Sequence, residues 1–358
     1  MSDAARADLW GRLTAAGLVK GELPDTSGSP SPWYVRLMLG VAGWIGAIFL
    51  LLFVGAGLAF VFRNEAAAMV VGLMCCAGAY AIFAVGSRSE LARQFGLAVS
   101  LAGQVMFLYG LHEGAGFDSE SPVFFVTVAV FEAALAFVLA NFVHRVWSAL
   151  AAGIAITYAL NLLGLWGYGV VALAAGLAAL WLTEDEWAPR GASWRAIGYG
   201  LACALVQPTS YVATWFFWRS EVPPLFGAAT FYIKAVLLVG VLVYAVLRIL
   251  TRYDVAPSSR DGAAALMTAI VIGAVTSRAP GITASLIVIV LGFARGNRGL
   301  VGFGILALLS YLSYFYYLLG ITLLMKSIVL AVTGLALIGM WAAMRAMYGD
   351  AARETVRA

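Results

Sequence analysis

The sequence predicts an all-α fold: a polytopic integral membrane helix bundle of about 12 transmembrane helices, with both termini cytoplasmic. Three observations predict it. Hydrophobic residues make up 63% of the 358-residue chain and charged residues 11%, a balance too apolar for a soluble domain of this size. Apolar runs recur near the length of roughly 20 residues that a helix needs to cross about 30 Å of hydrocarbon. The positive charges also alternate. Seventeen of the 22 Lys and Arg lie in the N-terminal stretch and every second connection after it, while Arg63, Arg219 and Arg278 lie in the others. Lys234 and Lys326 fall inside apolar segments. Cytoplasmic connections collect Lys and Arg, so the pattern predicts an even number of spans and two inner termini.

Residues 1–36 read as a cytoplasmic or interfacial leader. Within it, 3–19 places Leu9, Trp10 and Leu13 on one side of a short helix, compatible with an interfacial helix or a disordered leader. Residues 25–32 (DTSGSPSP) make a Pro/Ser/Gly linker. The first apolar run follows a mixed acidic and basic stretch and is long enough to stay as an anchor, so no cleaved signal peptide is expected. A single transmembrane domain then occupies 37–344, with spans at 37–62, 66–86, 94–111, 122–140, 146–163, 166–182, 196–218, 227–250, 262–277, 281–294, 299–318 and 322–344. Residues 345–358 form a cytoplasmic tail. The spans 262–277 and 281–294 are short and joined by Ser277-Arg278-Ala279-Pro280-Gly281. They make either a full hairpin, the preferred arrangement, or two half-helices that re-enter on one side; ten spans would then remain, with the same parity.

Aromatic residues accord with these boundaries. Trp187, Trp194, Trp341 and Tyr348 fall near inner ends; Trp166, Tyr168 and the runs at 215–218 and 314–317 fall near outer ends, as headgroup belts require. The small pairs Ala172/Gly176 and Ala175/Ala179 would let helices approach closely.

Residues 292–341, GFARGNRGLVGFGILALLSYLSYFYYLLGITLLMKSIVLAVTGLALIGMW, closely resemble an uncharacterised bacterial polytopic membrane family. SPWYVRLMLGVAGWIGAIFLLLF at 31–53 and SLAGQ at 100–104 resemble it too. Members are often encoded beside, or fused to, a small protein named for a GDYXXLXY motif. The resemblance implies a multi-span protein of the bacterial inner membrane and suggests a membrane-anchored protein partner. It supplies no activity and no catalytic residues. The motif itself is absent here, so a fusion is not expected.

The basic residues flank spans, so the bilayer accounts for them and no nucleic-acid surface is expected. Cys75, Cys76 and Cys203 lie within spans and read as small buried hydrophobes rather than a disulfide framework or metal site. No cofactor, metal or catalytic residue is expected: the chain has two His, no H-E-x-x-H, no Walker loop and no G-x-S-x-G.

Charges inside spans each need a reason, because an ionised group in hydrocarbon costs a few kcal/mol. Lys326 lies about 6 Å from an outer end and can snorkel to the headgroups. Lys234 is about 10 Å deep, where snorkelling and pairing are both open. Glu132 is near the midplane and must be protonated, paired with Lys234 or turned to a watery cavity. Gln104, Gln207 and Pro208 fall at similar depth, and Pro208 frees a carbonyl one turn earlier. Glu132, Lys234, Gln104, Gln207 and Pro208 therefore make a candidate mid-membrane binding site; alternatively, each polar group merely bonds a neighbouring helix. Outer-face candidates are Glu113, Asp118 and Glu120, in a loop without basic residues, together with Lys326. The loop suits a cation, a basic partner or plain solvation. Glu184-Asp185-Glu186 is a cytoplasmic acidic cluster expected to be balanced by Arg190 and Arg195.

Three functions remain open. One is a non-enzymatic membrane subunit working with a membrane-anchored partner. The second is a secondary transporter of a small solute or ion using the site around Glu132. The third, resting only on the outward Arg residues, is a membrane enzyme acting on lipid-linked sugars.

Overall fold

A computed structural model describes residues 3–17, 63–85, 90–114, 116–117, 121–187, 191–207 and 223–318, with isolated positions at 21, 38, 45, 49, 324, 327 and 338. Apart from those positions, the spans expected at 37–62 and 322–344 lie outside the described residues, as does the second half of 196–218. Every regular element among the described residues is helical.

The chain divides into two units, Met1–Gly57 and Leu58–Ala358. The first contains α1 (Asp3–Ala15), on which Trp10 and Leu13 are part-buried and Leu9 is exposed. The second contains α2 (Glu65–Ala84), α3 (Glu90–Gly114), α4 (Pro122–Val138), α5 (Phe142–Leu162), α6 (Tyr168–Leu182), the one-turn α7 (Glu184–Trp187) and α8 (Gly191–Val206). After these come α9 (Ala229–Arg252), α10 (Arg260–Val275), a 3₁₀ turn (Thr276–Arg278), α11 (Pro280–Ala294) and α12 (Arg298–Leu318).

Local chemistry sets these boundaries. Asn64, Asn141 and Ser259 each accept, on a side-chain oxygen, the backbone N–H three residues on, which satisfies a donor that the first helical turn leaves free. Pro122 and Pro280 open α4 and α11, where a missing N–H costs nothing.

The surface is rich in large apolar side chains, while several polar ones are buried. Met74, Val105, Val130, Val236 and Phe293 are each well over half exposed, whereas Ser100, Gln104, Glu132, His144 and Thr157 are buried. That inversion fits hydrocarbon as the solvent. Four helices are long and apolar enough to cross a membrane: α2, Ala92–Gly114 of α3, α5 and α9. Four more apolar stretches are shorter, namely α4, α6, α11 and Arg298–Ser313. The expected span 122–140 ends early because α4 stops at Val138 and an extended turn through Leu139 leads to the Asn141 cap.

Helices pack chiefly against sequence neighbours: α2 on α3, α4 on α5, α11 on α12, with α5 also against α8 and α9 against α10, α11 and α6. Leu173, Leu177, Trp181, Leu205, Ile287 and Leu291 belong to the largest apolar core, built from α6, α8, α9, α10, α11 and α12. Close approaches rest on glycine. A Cβ on Gly103 would meet the Gly72 carbonyl oxygen at 2.6 Å, and one on Gly200 would meet that of Val146 at 2.4 Å. The small residues expected to do this, Ala172, Ala175, Gly176 and Ala179, instead lie on the exposed face of α6. The buried face of that helix is occupied by larger side chains such as Leu173, Leu177 and Trp181.

Ion pairs fix relative directions. Asp185, just past α6, meets Arg252 at the end of α9 and Arg295 just past α11. At the opposite ends Gly167, Lys234 and Pro280 line one cavity. Hence α6, α9 and α11 run the same way, and α11 accompanies α6 from end to end.

Candidate functional site

Four helices converge on one buried polar group. α3 contributes Ser100 and Gln104, α4 Glu132, and α5 His144 and Ser148; all five are buried. Each same-helix pair is spaced by four, which puts both members on one helix face. The close crossing at Gly72 and Gly103 presses α3 onto α2 beside Gln104. From α2, the buried Cys76 thiol reaches the Ser100 carbonyl at 3.8 Å.

The hydrogen bonds form a line. His144 Nε2 lies 2.8 Å from both the Gln104 amide nitrogen and Ser100 Oγ, and the same amide donates to Ser100 Oγ at 3.3 Å. On its other side, His144 Nδ1 faces Ser148 Oγ at 3.5 Å. The Ser148 hydroxyl also lies beside the Glu132 carboxyl. The second carboxyl oxygen, Oε2, has no hydrogen-bond partner among the described residues.

These contacts dictate a polarity. The Gln104 amide nitrogen can only donate, so Nε2 accepts and the ring proton sits on Nδ1, directed at Ser148. Ser148 can accept from the imidazole and donate to the carboxyl at once. Rotation of the Gln104 amide by half a turn would present an acceptor and suit a proton on Nε2. The group thus has two complementary hydrogen-bonded arrangements that differ by one proton.

Depth follows from the helices. Glu132 lies six residues before the end of α4 and Ser148 six after the start of α5, about 9 Å from the α4–α5 turn on each side. The group therefore extends from that turn into the bundle.

The expected residues fall in different places. Gln104 and Glu132 belong to this one group, on either side of His144 and Ser148. Lys234 does not: α4 packs on α5 whereas α9 packs on α6, α10 and α11, and Lys234 lines a separate cavity. No Glu132–Lys234 ion pair occurs among the described residues. Gln207 is part-buried just past the end of α8, while Pro208, Asp118, Glu120 and Lys326 lie outside the described residues. Glu113 is exposed, 3.7 Å from the His112 ring. No group of side chains suited to a metal ion occurs among the described residues.

Sequence reasoning missed His144, Ser148 and Ser100. Their signal was the pair of four-residue spacings, Ser100/Gln104 and His144/Ser148, in otherwise apolar surroundings. Placing the start of the span at 146 put His144 in a loop. In fact Arg145 is accommodated within the helix, its guanidinium donating to the Ala136 carbonyl at 3.1 Å and to Ser193 Oγ at 2.7 Å.

A second polar centre holds the ends of α6, α9 and α11. Arg295, 5% exposed, donates to the carbonyls of Trp181 and Leu182 and to the Asp185 carboxylate. Arg252 shares Asp185, and Arg195 pairs with Glu184. The Arg295 and Arg252 guanidiniums hold the Asp185 carboxyl below its ordinary range. Only the Arg195 part of this balance was expected; Arg190 lies outside the described residues.

Residues 32–347 match a family described as "Domain of unknown function (DUF4401)". No curated protein and no solved structure matches the chain.

Proposed function

The chain belongs to the DUF4401 family, and on that premise we propose a multi-pass protein of the bacterial inner membrane that couples movement of a small solute or ion to a proton shared by Glu132 and His144. The supporting observation is one buried polar group, in which Gln104, His144 and Ser148 follow one another in hydrogen-bond contact and Glu132 lies beside Ser148. With the Gln104 amide turned to accept from Nε2–H, the imidazolium gives its Nδ1 proton to Ser148 as Ser148 passes its own to the carboxylate, leaving a neutral imidazole and a protonated Glu132. Charged or titrating groups within spans commonly mark such pathways. In this reading the charge alternation supports twelve spans with both termini inside. The end-to-end match of α11 with α6 supports counting 262–294 as two of them.

Infrared difference spectroscopy of the protein in lipid tests the proton site without knowledge of the solute. A protonated-carboxyl band should change with pH, vanish in Glu132→Gln and shift its midpoint in His144→Ala. A pH-insensitive spectrum in the wild-type protein would sink the proposal.

A second reading is a subunit working with a separate membrane-anchored partner. It is supported by the family resemblance and by the outward row Ala172, Ala175, Gly176 and Ala179, which suits close approach of another helix. Purification in mild detergent should then recover a smaller membrane protein in fixed ratio; a lone, monodisperse chain counts against it.

A further inference from the structure

A cavity of about 50 Å³ lies where α6 and α11 begin, lined by Gly167, Lys234, Thr276, Ser277, Pro280 and Thr283 among others. That is room for a few water-sized groups. Lys234 is half-buried here and has no ion-pair partner among the described residues. Its stem crosses Gly167, where a Cβ would come within 2.9 Å of Lys234 Cδ. Gly167 has φ +78°, so glycine serves both the turn and the lysine's path.

The rest of the lining suits an anion as well. Ser277 contributes a hydroxyl, whereas the Thr276 hydroxyl donates to the Ile272 carbonyl and Thr283 Oγ1 donates to Thr276 Oγ1 at 2.8 Å. Two 15-residue helices start beside the cavity, which adds partial positive charge. One turn before Lys234 on α9, Thr230 is buried with its hydroxyl unpartnered among the described residues.

The cavity does not end at these polar groups. Ala235, Val239 and Ser277 also line an adjoining groove of about 450 Å³ between α9 and α10. Its other walls are Phe231, Tyr232, Val236, Ile270 and Ala274, and Tyr232 and Val236 are about 70% exposed on the apolar flank of a membrane-length helix. A groove of that size is on the scale of ligand sites. A lone cation at one end and apolar walls along the rest match a molecule with one anionic head and a hydrocarbon tail.

We propose that Lys234 and the α9–α10 groove bind an anionic phospholipid, with its phosphate against the Lys234 ammonium and an acyl chain along Tyr232, Val236 and Ile270. Lysine serves phosphate as a point charge, and the Ser277 hydroxyl supplies direction. The site rests on the membrane reading but is independent of the Glu132 proton site, so the infrared test above can fail without touching it.

Native mass spectrometry of the delipidated full chain, titrated with phosphatidylglycerol, phosphatidylcholine or inorganic phosphate, tests it. Phosphatidylglycerol should bind more tightly than phosphatidylcholine, and inorganic phosphate should bind far more weakly than either. Lys234→Met should weaken phosphatidylglycerol about five-fold, with Lys234→Arg retaining most of the binding. Ala235→Phe, which narrows the groove and leaves the charge, should weaken both lipids. Equal affinity of wild type and Lys234→Met would overturn the proposal. So would equal binding of the two lipids, or inorganic phosphate matching phosphatidylglycerol.

Discussion

The two ends of this bundle's chemistry are built in opposite ways. Around α2 to α5, polar side chains are buried between helices that glycine lets approach closely, and they bond one another. Around α6, α9 and α11, the interior is apolar and the polar groups are confined to the helix ends: Arg295 and Asp185 at one, Lys234 at the other. Polarity within a helix interface is shielded and can exchange protons; polarity at helix ends ties elements together or meets headgroups. Position along the helix, more than residue type, separates the two roles.

The sharpest way to break the contrast is to separate α2 from α3. Gly103→Leu would drive a side chain into the Gly72 backbone, and overpacking of this kind should cost about 3 kcal/mol or more. Thermal unfolding in detergent, read by size-exclusion chromatography, should show a large loss. A wild-type melting temperature would mean that the two helices do not pack as described.

Next comes the end of the apolar half. Arg295→Ala leaves the Trp181 and Leu182 carbonyls without their donor and should cost about 2–3 kcal/mol by the same assay. Arg252→Ala, at an exposed position on the same carboxylate, should cost clearly less. Equal losses would show that burial of Arg295 contributes nothing.

Within the polar half, His144→Ala leaves Gln104 and Ser148 short of a partner and should cost about 2 kcal/mol. A double-mutant cycle with Glu132→Gln should be non-additive, because both act on Ser148; additivity would uncouple them.

The smallest effect expected is in acid. The Asp185 carboxyl is depressed in the folded protein, so the unfolded chain binds its proton first. Its contribution is complete above the unfolded value of about 4 and fades as pH falls through the lower folded value. Unfolding curves below about pH 4 should be flatter for Asp185→Asn than for wild type; parallel curves would remove Asp185 from the acid response.

Much of the architecture was legible in the residues. Apolar runs placed most of the described helices within a few positions, because a helix in hydrocarbon must stay apolar along its length. The polar group was half legible. Gln104 and Glu132 stood out as costly residues in apolar runs, but His144 was hidden by the assumption that a helix cannot begin across Arg145. The pairing of Glu132 with Lys234, one of three options for the carboxyl, is absent among the described residues for another reason. Equal depth says nothing of lateral adjacency when the order of helices around the bundle is unknown. The Ala and Gly row of α6 shows the same gap: spacing identified a face but not what it faces.

The clasp at Asp185 also orders events during synthesis. Its first partner, Arg252, emerges 67 residues after it, and its second, Arg295, 110 residues after it. The two carbonyls ending α6 receive no donor from Arg295 until that second arrival. A ribosome stalled between them would leave α6 and α9 fastened to each other while the final rivet was still inside the exit tunnel. Chains truncated there should therefore reach the bilayer and yet be prime targets for membrane proteolysis.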